Sequence, residues 1–318
     1  MTTPVRCHNR GDKIVPGNMS NVPDSRADET DVSLRPLLFS IAYRMTGSVT
    51  DAEDLVQETY VRVHAAERDG TQIESRRAYA CAVVTRLAID YLRSARVRRE
   101  EYVGEWLPEP IVTDRSADPE QQAELSDSLS MAFLVLLERL TPSERAVLLL
   151  RDVFGYGFDE VAELIDKSEA ACRQLAVRAR EKVQDGKPRF ETSVEKRWAL
   201  AERFFAAVER GDTDGLADML AQDVVLYGDG GGKAPARREP LRGMSETVRF
   251  LASFSPRADR EGWALTLVDV NGQPGAVVSG GDGATVAVVS LDVAMGKVQA
   301  VRAVVNPDKL SHLASALD

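Results

Sequence analysis

The first residues that suggest chemistry are carboxylates spaced for one face of a helix. Asp51, Asp54 and Glu58 stand at positions i, i+3 and i+7 of the segment DAEDLVQET, and Gln57 lies beside them. Paired carboxylates suit metal binding or acid–base catalysis. The segment holds no histidine, however, and the first turn of a helix favours acidic residues for electrostatic reasons alone. We therefore interpret these residues as a docking face for a basic partner surface.

Arginines dominate the segment that follows. Between Arg76 and Arg99 the only acidic residue is Asp90, and the seven arginines are Arg76, Arg77, Arg86, Arg93, Arg96, Arg98 and Arg99. Such density is typical of a surface that neutralises phosphates, although a solvated helix face is the alternative. Tyr79 and Tyr91 could support unstacked bases, but we favour a place for them in the core.

A two-helix segment, residues 158–183, combines an apolar face with a basic one. In its second half Cys172, Ala176, Ala179 and Val183 fall on one side of a helix. The other side carries Arg173, Gln174, Arg178 and Arg180. A short turn with Ser168 as cap separates the halves, which predicts a helix-turn-helix whose second helix enters a major groove. Arginine can pair with guanine and glutamine with adenine, whereas an ordinary helical hairpin is the alternative.

The C-terminal part holds a third set of titratable residues. Asp229, Asp269 and Asp292 fall in or beside predicted strands, and His312 follows them. A carboxylate inside a sheet-lined cavity can act as acid or base when burial shifts its pKa. Strand alternation does not decide which of these side chains point inward. Catalysis, ligand sensing and a purely structural role therefore stay open for this part.

The elements that position these groups follow from hydrophobic periodicity and composition. Residues 31–103 predict three helices, of which the first carries an apolar face and ends at Gly47, and Thr50 is expected to cap the second. Residues 104–122, rich in proline and acids, predict a linker. Residues 123–188 return to helical periodicity, and residues 194–318 combine helices with Val-rich antiparallel strands. Residues 1–30 show no period and predict a disordered tail.

Length and composition exclude several classes of protein. A chain of 318 residues with 44% hydrophobic and 28% charged residues fits two or three globular domains. Cys7, Cys81 and Cys172 form no C-x-x-C pair, so we expect neither a disulfide framework nor a zinc site. No apolar run approaches the ~20 residues of a membrane span, and no secretory signal is apparent. We expect a cytoplasmic protein without membrane contact, metal or cofactor.

The net charge of −10 conceals strong local asymmetry. Residues 104–166 sum to −10, with 4 basic and 14 acidic residues, whereas residues 167–189 sum to +4, with 7 basic and 3 acidic residues. The chain thus alternates acidic and basic helices. The basic segments indicate contact with nucleic acid, although the negative net charge taken alone would suggest the opposite.

The order of these elements resembles the extracytoplasmic-function (ECF) sigma factors of bacterial RNA polymerase. The resemblance covers residues 34–183: the helix DAEDLVQE, the helix RLAIDYLRSAR, a linker and the helix-turn-helix. It implies core RNA polymerase, through its β′ clamp helices and β subunit, and promoter DNA as partners. The residues it implicates in docking on the clamp helices are Asp51, Asp54, Gln57 and Glu58.

The same resemblance assigns roles to the basic residues. The basic helix would recognise and melt the −10 promoter element through Arg76, Arg86, Asp90, Arg93 and Arg96. Arg86 departs from the family, which often has asparagine at this position. The second helix of the helix-turn-helix would recognise the −35 element through Arg173, Gln174 and Arg178.

Three further motifs narrow the resemblance to ECF sigma factors with a fused SnoaL-like domain, a cone-shaped α+β fold related to nuclear transport factor two. In that subgroup the appended domain replaces a separate anti-sigma protein and tunes activity. The resemblance implies regulatory interdomain contacts at WLPEP (Trp106, Leu107, Pro108, Glu109, Pro110), DGGGK (Asp229, Gly230, Gly231, Gly232, Lys233) and NPDKL (Asn306, Pro307, Asp308, Lys309, Leu310).

We therefore expect a multidomain protein with two all-α sigma domains, a three-helix region 2 and a helix-turn-helix region 4, followed by an α+β cone. The expected function is that of an alternative sigma factor regulated by its own C-terminal domain, without enzymatic activity. A ligand-responsive repressor and a cyclase or isomerase are the alternatives. A small-molecule ligand of the cone also stays open.

Overall fold

The computed structural model describes residues 31–100, 102–114, 128–184 and 193–313, without the side chains of residues 95–100. The tail expected at residues 1–30 and the side chain of Arg96 lie outside the described residues.

The first helical unit consists of three helices that pack on one another: α1 (Asp31–Thr46), α2 (Val49–Arg68) and α3 (Arg76–Glu100). Gly47 follows α1 with a φ of 70°, as expected for a residue that ends a helix. The expectation that Thr50 caps α2 is wrong. Ser48 has the extended backbone of an N-cap, and its hydroxyl accepts a hydrogen bond from Asp51 N at 3.1 Å.

The second helical unit contains α4 (Met131–Leu137), α5 (Pro142–Leu148), a π-helical turn (Leu149–Val153), α6 (Phe158–Ile165) and α7 (Glu169–Gln184). Thr141 and Glu144 form a capping box ahead of α5, and Pro142 lies in the first turn of that helix. Asp166 ends α6 in the left-handed conformation, and Ser168 caps α7 through Ala171 N at 3.2 Å. The predicted helix-turn-helix is thus present.

The C-terminal unit begins with two helices and continues as a sheet that α10 and α11 interrupt. The helices are α8 (Val194–Arg210), α9 (Thr213–Met219), α10 (Met244–Ala252), α11 (Ser255–Glu261) and α12 (Pro307–Leu310). The strands are β1 (Val112–Thr113), β2 (Leu220–Asp229), β3 (Leu241–Arg242), β4 (Ala264–Val270), β5 (Gln273–Ser279), β6 (Thr285–Ala294) and β7 (Lys297–Val304).

The sheet has the strand order β1-β4-β5-β6-β7-β2-β3. Strands β4 to β7 pair antiparallel in sequence order, as predicted, whereas β2 pairs parallel with β7. The edge strand β1 comes from the linker, where Val112 pairs with Val270 and Thr113 with Asp269. The linker is therefore part of the C-terminal sheet as well as a connection.

Alternating residues of the sheet face two different cores. Ala276, Leu291 and Val301 belong to a core inside the C-terminal unit, together with residues of α8, α9 and α10. Val277 and Val288 face a second core, which includes Leu107 of the linker and Met131 of α4. A third core runs without a break through both helical units. Among the described helices, none is both long and apolar enough to cross a bilayer.

Candidate functional site

The end of strand β2 carries a fully buried carboxylate with several donors. Oδ2 of Asp229 accepts hydrogen bonds from the Leu107 backbone N–H at 2.7 Å and from Lys309 Nζ at 2.6 Å. Oδ1 of Asp229 accepts one from the Tyr102 hydroxyl at 2.5 Å, and Asn306 Nδ2 donates to that hydroxyl oxygen at 2.9 Å. Asp229 itself is 0% exposed. We call Tyr102, Leu107, Asp229, Asn306 and Lys309 the linker cluster, because it joins the linker to both C-terminal motifs.

Aromatic rings complete the surroundings of the lysine in the linker cluster. Lys309 Nζ lies 4.4 Å from the ring centroid of Trp106 and 4.8 Å from that of Tyr102. It also donates to the Leu107 carbonyl oxygen. Burying an ion pair costs desolvation energy that hydrogen bonds and ring faces must offset. The cluster therefore specifies one docked position of the linker.

Two glycines leave room for the docked linker. A Cβ placed on Gly231, whose φ is 56°, would lie 2.3 Å from Asn306 Nδ2. A Cβ placed on Gly47 would lie 2.6 Å from Cη2 of Trp106. Both positions combine a left-handed backbone with a close approach, so a larger residue would displace the linker cluster or the indole.

The glutamate of WLPEP binds the beginning of the acidic helix. Glu109 Oε2 accepts hydrogen bonds from Val49 N at 2.7 Å and Thr50 N at 3.1 Å, and Oε1 accepts one from the Ser48 hydroxyl at 2.9 Å. A carboxylate at a helix N-terminus accepts hydrogen bonds from N–H groups that have no partner within the helix. Its negative charge also interacts favourably with the positive end of the helix dipole. Glu109 stands two residues after Leu107, so the C-terminal unit is connected to α2 through a very short stretch of linker.

A buried asparagine of the C-terminal unit contacts both helical units. Asn271 Nδ2 donates to the Tyr43 hydroxyl at 2.7 Å and to the Leu129 carbonyl at 3.0 Å, and its Oδ1 accepts from Ile111 N at 3.0 Å. Sequence reasoning missed Asn271, Tyr43 and Tyr102. The Asn-Gly pair at 271–272 predicts a tight hairpin, but no local signal indicates what the asparagine would contact.

The remaining motif residues lie around the linker cluster. Lys233 and Asp308 form an exposed ion pair across the two C-terminal motifs. The Pro110 carbonyl is 2.9 Å from Nε2 of His312, and Leu310 belongs to the core that contains Leu107. Of the motif residues not yet described, Pro108 and Gly230 are buried and Gly232 is exposed beside Val103. Pro307 lies in the first turn of α12. The structure thus brings all three motifs together.

The acidic face of α2 is largely accessible. Asp54, Gln57 and Glu58 are exposed, and Glu58 forms an ion pair with Arg62 at 2.8 Å. Asp51 is half-buried and accepts a hydrogen bond from the Tyr91 hydroxyl at 2.5 Å. Three of the four predicted docking residues are therefore available to a partner, whereas Asp51 has an internal role in this arrangement.

The arginine-rich helix α3 is partly covered by the second helical unit. Arg86 Nε donates to the Leu164 carbonyl at 3.0 Å and Nη2 to the Glu163 carbonyl at 2.9 Å, at the end of α6. Arg76 forms ion pairs with Asp31 at 2.7 Å and Glu67 at 2.8 Å. In contrast, Asp90 and Arg93 are exposed and pair with each other at 2.8 Å. Tyr79 and Tyr91 pack against the shared helical core, as favoured.

A buried arginine also joins the two helical units. Arg145 is 3% exposed, and its guanidinium donates to the carbonyl oxygens of Met45 at 2.5 Å and Leu137 at 3.0 Å. Burial lowers the pKa of Arg145 to about 9, which leaves it charged at neutral pH. We call this packing of the two helical units, marked by Arg86 and Arg145, the closed arrangement.

The predicted recognition helix α7 presents a mixed polar and apolar face. Arg173, Gln174 and Arg178 are exposed, and Val177 between them is 54% exposed. The Arg173 guanidinium lies 4.6 Å from the ring centroid of Phe158. Sequence reasoning did not single out Val177, yet an apolar side chain among groove-facing polar ones suits contact with a thymine methyl group.

The three candidate carboxylates of the C-terminal unit lie apart from its cavity. This cavity of about 530 Å³ is lined by Phe204, Phe205, Phe250, Phe254 and Trp263 together with aliphatic side chains. Asp229 belongs to the linker cluster, and Asp292 forms an ion pair with Arg302. Asp269 accepts from Gly272 N at 2.7 Å, and burial raises its pKa to about 6. None of these three carboxylates lines the cavity.

Known protein families match the three units separately. The matching family models are Sigma-70 region 2 over residues 32–98, Sigma-70 region 4 over residues 130–183 and the SnoaL-like domain over residues 201–305. These matches confirm the fold class expected from the sequence: two helical sigma regions and an α+β domain.

Individual relatives share the whole arrangement. The chain is 39% identical over 288 residues to the ECF RNA polymerase sigma factor SigJ of Mycobacterium tuberculosis, covering 88% of this chain and 91% of that protein. It is 30% identical over 287 residues to the probable ECF RNA polymerase sigma factor SigI of the same organism, covering 89% and 94%.

A solved structure matches the fold over a similar share of the chain. The crystal structure of Mycobacterium tuberculosis SigJ has a TM-score of 0.70 and 38% sequence identity, and covers 88% of this chain and 96% of that chain. Sequence and fold therefore agree across all three units. The chain belongs to the ECF RNA polymerase sigma factor family, in the group whose two sigma regions are followed by a SnoaL-like domain.

Proposed function

We propose that this chain is an alternative sigma factor that binds core RNA polymerase and promoter DNA, and that its C-terminal domain restrains it in the closed arrangement. The observation that carries the proposal is the position of Arg86, an expected −10 contact, against the carbonyl groups at the end of α6. A promoter-recognition residue that region 4 covers cannot contact DNA until the two regions separate.

The exposed carboxylates of α2 support polymerase docking. Asp54, Gln57 and Glu58 lie on one face of a helix whose first turn Glu109 holds in place. Surface charges on a docking face increase association rate and specificity when the partner surface is basic. This face also distinguishes the proposal from a repressor, which has no need of a polymerase-binding helix next to a promoter-recognition helix.

Promoter geometry supports an opening step. Elements centred near positions −10 and −35 are about 25 base pairs apart, which corresponds to ~85 Å of duplex at 3.4 Å per base pair. In the closed arrangement Arg86 is within 3.0 Å of region 4. One molecule therefore cannot engage both elements through α3 and α7 while closed.

The linker cluster supports restraint by the C-terminal domain. Through Asp229 and Lys309 this domain holds the linker, and through Asn271 it contacts Tyr43 of region 2 and the Leu129 carbonyl just ahead of α4. Separation of the regions would have to break the Asn271 bridge or distort the docked linker. We infer that the fused domain takes the place of a separate anti-sigma protein.

We propose a binding rather than a catalytic role for the cone. The relatives named above are sigma factors, not enzymes, although SnoaL-like folds include some enzymes. Asp229, Asp269 and Asp292 have structural partners and do not line the cavity. A cavity without these carboxylates fits an apolar ligand better than acid–base chemistry.

Binding to core RNA polymerase tests the proposed function directly. Asp54→Lys should weaken the affinity of the full chain for core polymerase at least tenfold, because it reverses one charge of the docking face. Asp69→Lys is the matched control: Asp69 is an exposed acid that follows α2 at its other end. We expect its affinity to equal that of the wild type.

In vitro transcription from promoters selected with the wild-type chain completes this experiment. Initiation that depends on the chain and falls with Asp54→Lys supports the proposal. Failure of the wild-type chain to bind core polymerase, or equal affinities for the two lysine variants, would contradict it.

A further inference from the structure

A short segment, residues 234–238, lies between the cavity of the cone and the linker. Ala234, Pro235, Ala236 and Arg237 line the cavity and contact solvent, so they form part of its opening. The same segment packs over the end of β2: a Cβ placed on Gly230 would lie 2.8 Å from the Ala236 Cβ. Gly230 directly follows Asp229 of the linker cluster.

The outer side of residues 234–238 faces the linker across a narrow space. A Cβ placed on Gly104 would lie 3.7 Å from Cα of Arg238 and 4.0 Å from the carbonyl oxygen of Arg237. Because an added Cβ would fit there at ordinary van der Waals distance, the space between segment and linker is about the size of one methyl group. An outward movement of the segment by more than this space would therefore conflict with the docked position of the linker.

The lining of the cavity defines the chemistry that it can accept. Five aromatic side chains and many aliphatic ones surround about 530 Å³, a volume that suits an apolar ligand with fused rings. Three charged residues contribute to the lining. Arg257 is paired with Glu261 at 3.0 Å and covers the Trp263 ring, and Glu209 lies in the last turn of α8.

The third charged residue, Arg237, is free to bind an anion. It is exposed, and among the described residues its guanidinium has no acidic or hydrogen-bonding partner. Arginine is well suited to a carboxylate because its planar group donates two parallel hydrogen bonds. An anionic end group would be repelled by Glu209 and attracted to Arg237.

From these contacts we propose that the cone binds an apolar, ring-bearing carboxylate whose anionic end pairs with Arg237, and that binding displaces residues 234–238 outward and weakens the docking of the linker. The inference rests on the proposed restraint by the linker cluster. Because coupling between two sites is reciprocal, a weakened linker cluster must in turn increase the affinity for the ligand.

Fluorescence titration of the full chain with 1-pyrenebutyrate tests the binding site. Its neutral analogue, 1-pyrenebutanol, has the same ring system without the carboxylate. We expect the carboxylate to bind at least tenfold more tightly, and Arg237→Gln to remove this preference. Arg238→Gln changes the neighbouring exposed arginine, which does not line the cavity, and should leave the preference unchanged.

The same titration on linker-cluster variants tests the coupling. Lys309→Met should bind 1-pyrenebutyrate five- to tenfold more tightly than the wild type. Tyr102→Phe removes a single hydroxyl and should increase the affinity by a smaller factor. This variant keeps the coupling testable if Lys309→Met does not fold.

Three results would overturn the inference. Absence of pyrenebutyrate binding would contradict the proposed binding site. Equal affinity for both probes would contradict the proposed pairing of the carboxylate with Arg237. Unchanged affinity for 1-pyrenebutyrate in both linker-cluster variants would contradict the proposed coupling between the cavity and the linker cluster. These titrations need no polymerase, so their failure is distinct from failure of the proposed sigma function.

Discussion

At the scale of single residues, Asp229 and Lys309 determine how the linker docks. The two charged groups are almost completely shielded from water, and their ion pair is supported by Leu107 and by the rings of Trp106 and Tyr102. Removing one partner of such a pair leaves the other charge buried and uncompensated. The pair therefore contributes more to the specificity of docking than its net stabilisation suggests.

A double-mutant cycle on this pair measures the interaction. Lys309→Met should lower the free energy of unfolding by about 3–5 kcal/mol, because it leaves the Asp229 carboxylate without its cation. Adding Asp229→Asn should recover part of this loss. Urea denaturation of the two single variants, the double variant and the wild type gives the coupling energy. Strictly additive losses would contradict an ion pair at this position.

The raised pKa of Asp269 predicts that the stability of the folded protein depends on pH. This pKa is raised from 3.8 to about 6, mainly by burial, so the folded state favours the protonated form. The stability that this group contributes is present below pH 4 and is lost as pH rises through 6. Asp269→Asn keeps an acceptor for Gly272 N and should raise the free energy of unfolding at pH 8 by on the order of 2 kcal/mol.

The measurement for Asp269 is chemical denaturation between pH 4 and pH 8. The wild type should lose stability relative to Asp269→Asn as pH rises, and the two curves should converge at the acidic end. Asp282→Asn, a change at an exposed loop carboxylate, is the control and should follow the wild type. A constant difference between wild type and Asp269→Asn across this range would show that Asp269 is not titrating.

At the scale of elements, the linker joins parts that the sequence presents as separate. Its residues cap α2 through Glu109, form strand β1 of the C-terminal sheet and fill a core with Leu107. Proline-rich composition correctly predicts that residues 104–114, the part of the linker that the structure describes, are neither helix nor central strand. It does not indicate an edge strand, because pairing of Val112 with Val270 joins residues far apart in the chain.

Local signals predict much of the helical structure and less of the site. The capping box at Thr141, the turn before Ser168 and the helix at residues 194–210 follow from residue type and spacing. The roles of Tyr102 and Asn271 depend on tertiary contacts with distant residues, for which their own neighbourhoods give no sign. Resemblance to the family groups the three motifs, whereas only the structure shows the aromatic rings around Lys309.

If α7 is the recognition helix, as proposed, its exposed Val177 should contribute to promoter binding. We expect Val177→Ser to weaken binding of the polymerase complex to its cognate promoter three- to tenfold, about 1 kcal/mol, because it removes an apolar contact with a base methyl group. Binding to unrelated DNA should not change, since phosphate contacts carry that affinity. Electrophoretic mobility shift at fixed salt measures both quantities. Equal losses for cognate and unrelated DNA would assign Val177 a structural role.

At the scale of the whole molecule, one continuous core joins regions 2 and 4, and the C-terminal domain covers the linker between them. Arg86 and Arg145 lie at the junction of the two regions and bond to backbone carbonyl groups. In the opening step that we propose, polymerase and promoter would have to compensate for the loss of these contacts. A ligand or mutation that loosens the linker cluster would lower that cost and shift the population toward the open form.

The distance between regions 2 and 4 tests this account most directly. Dyes attached to Asp69→Cys and Gln184→Cys, in a chain with Cys7→Ser, report it by single-molecule energy transfer, since Cys81 and Cys172 are buried. The free chain should show one high-efficiency population, and Lys309→Met should broaden it toward lower efficiency. Addition of core polymerase and promoter DNA should convert it to a low-efficiency population. Transfer efficiency that stays high in a complex competent for transcription would contradict the claim that opening is required.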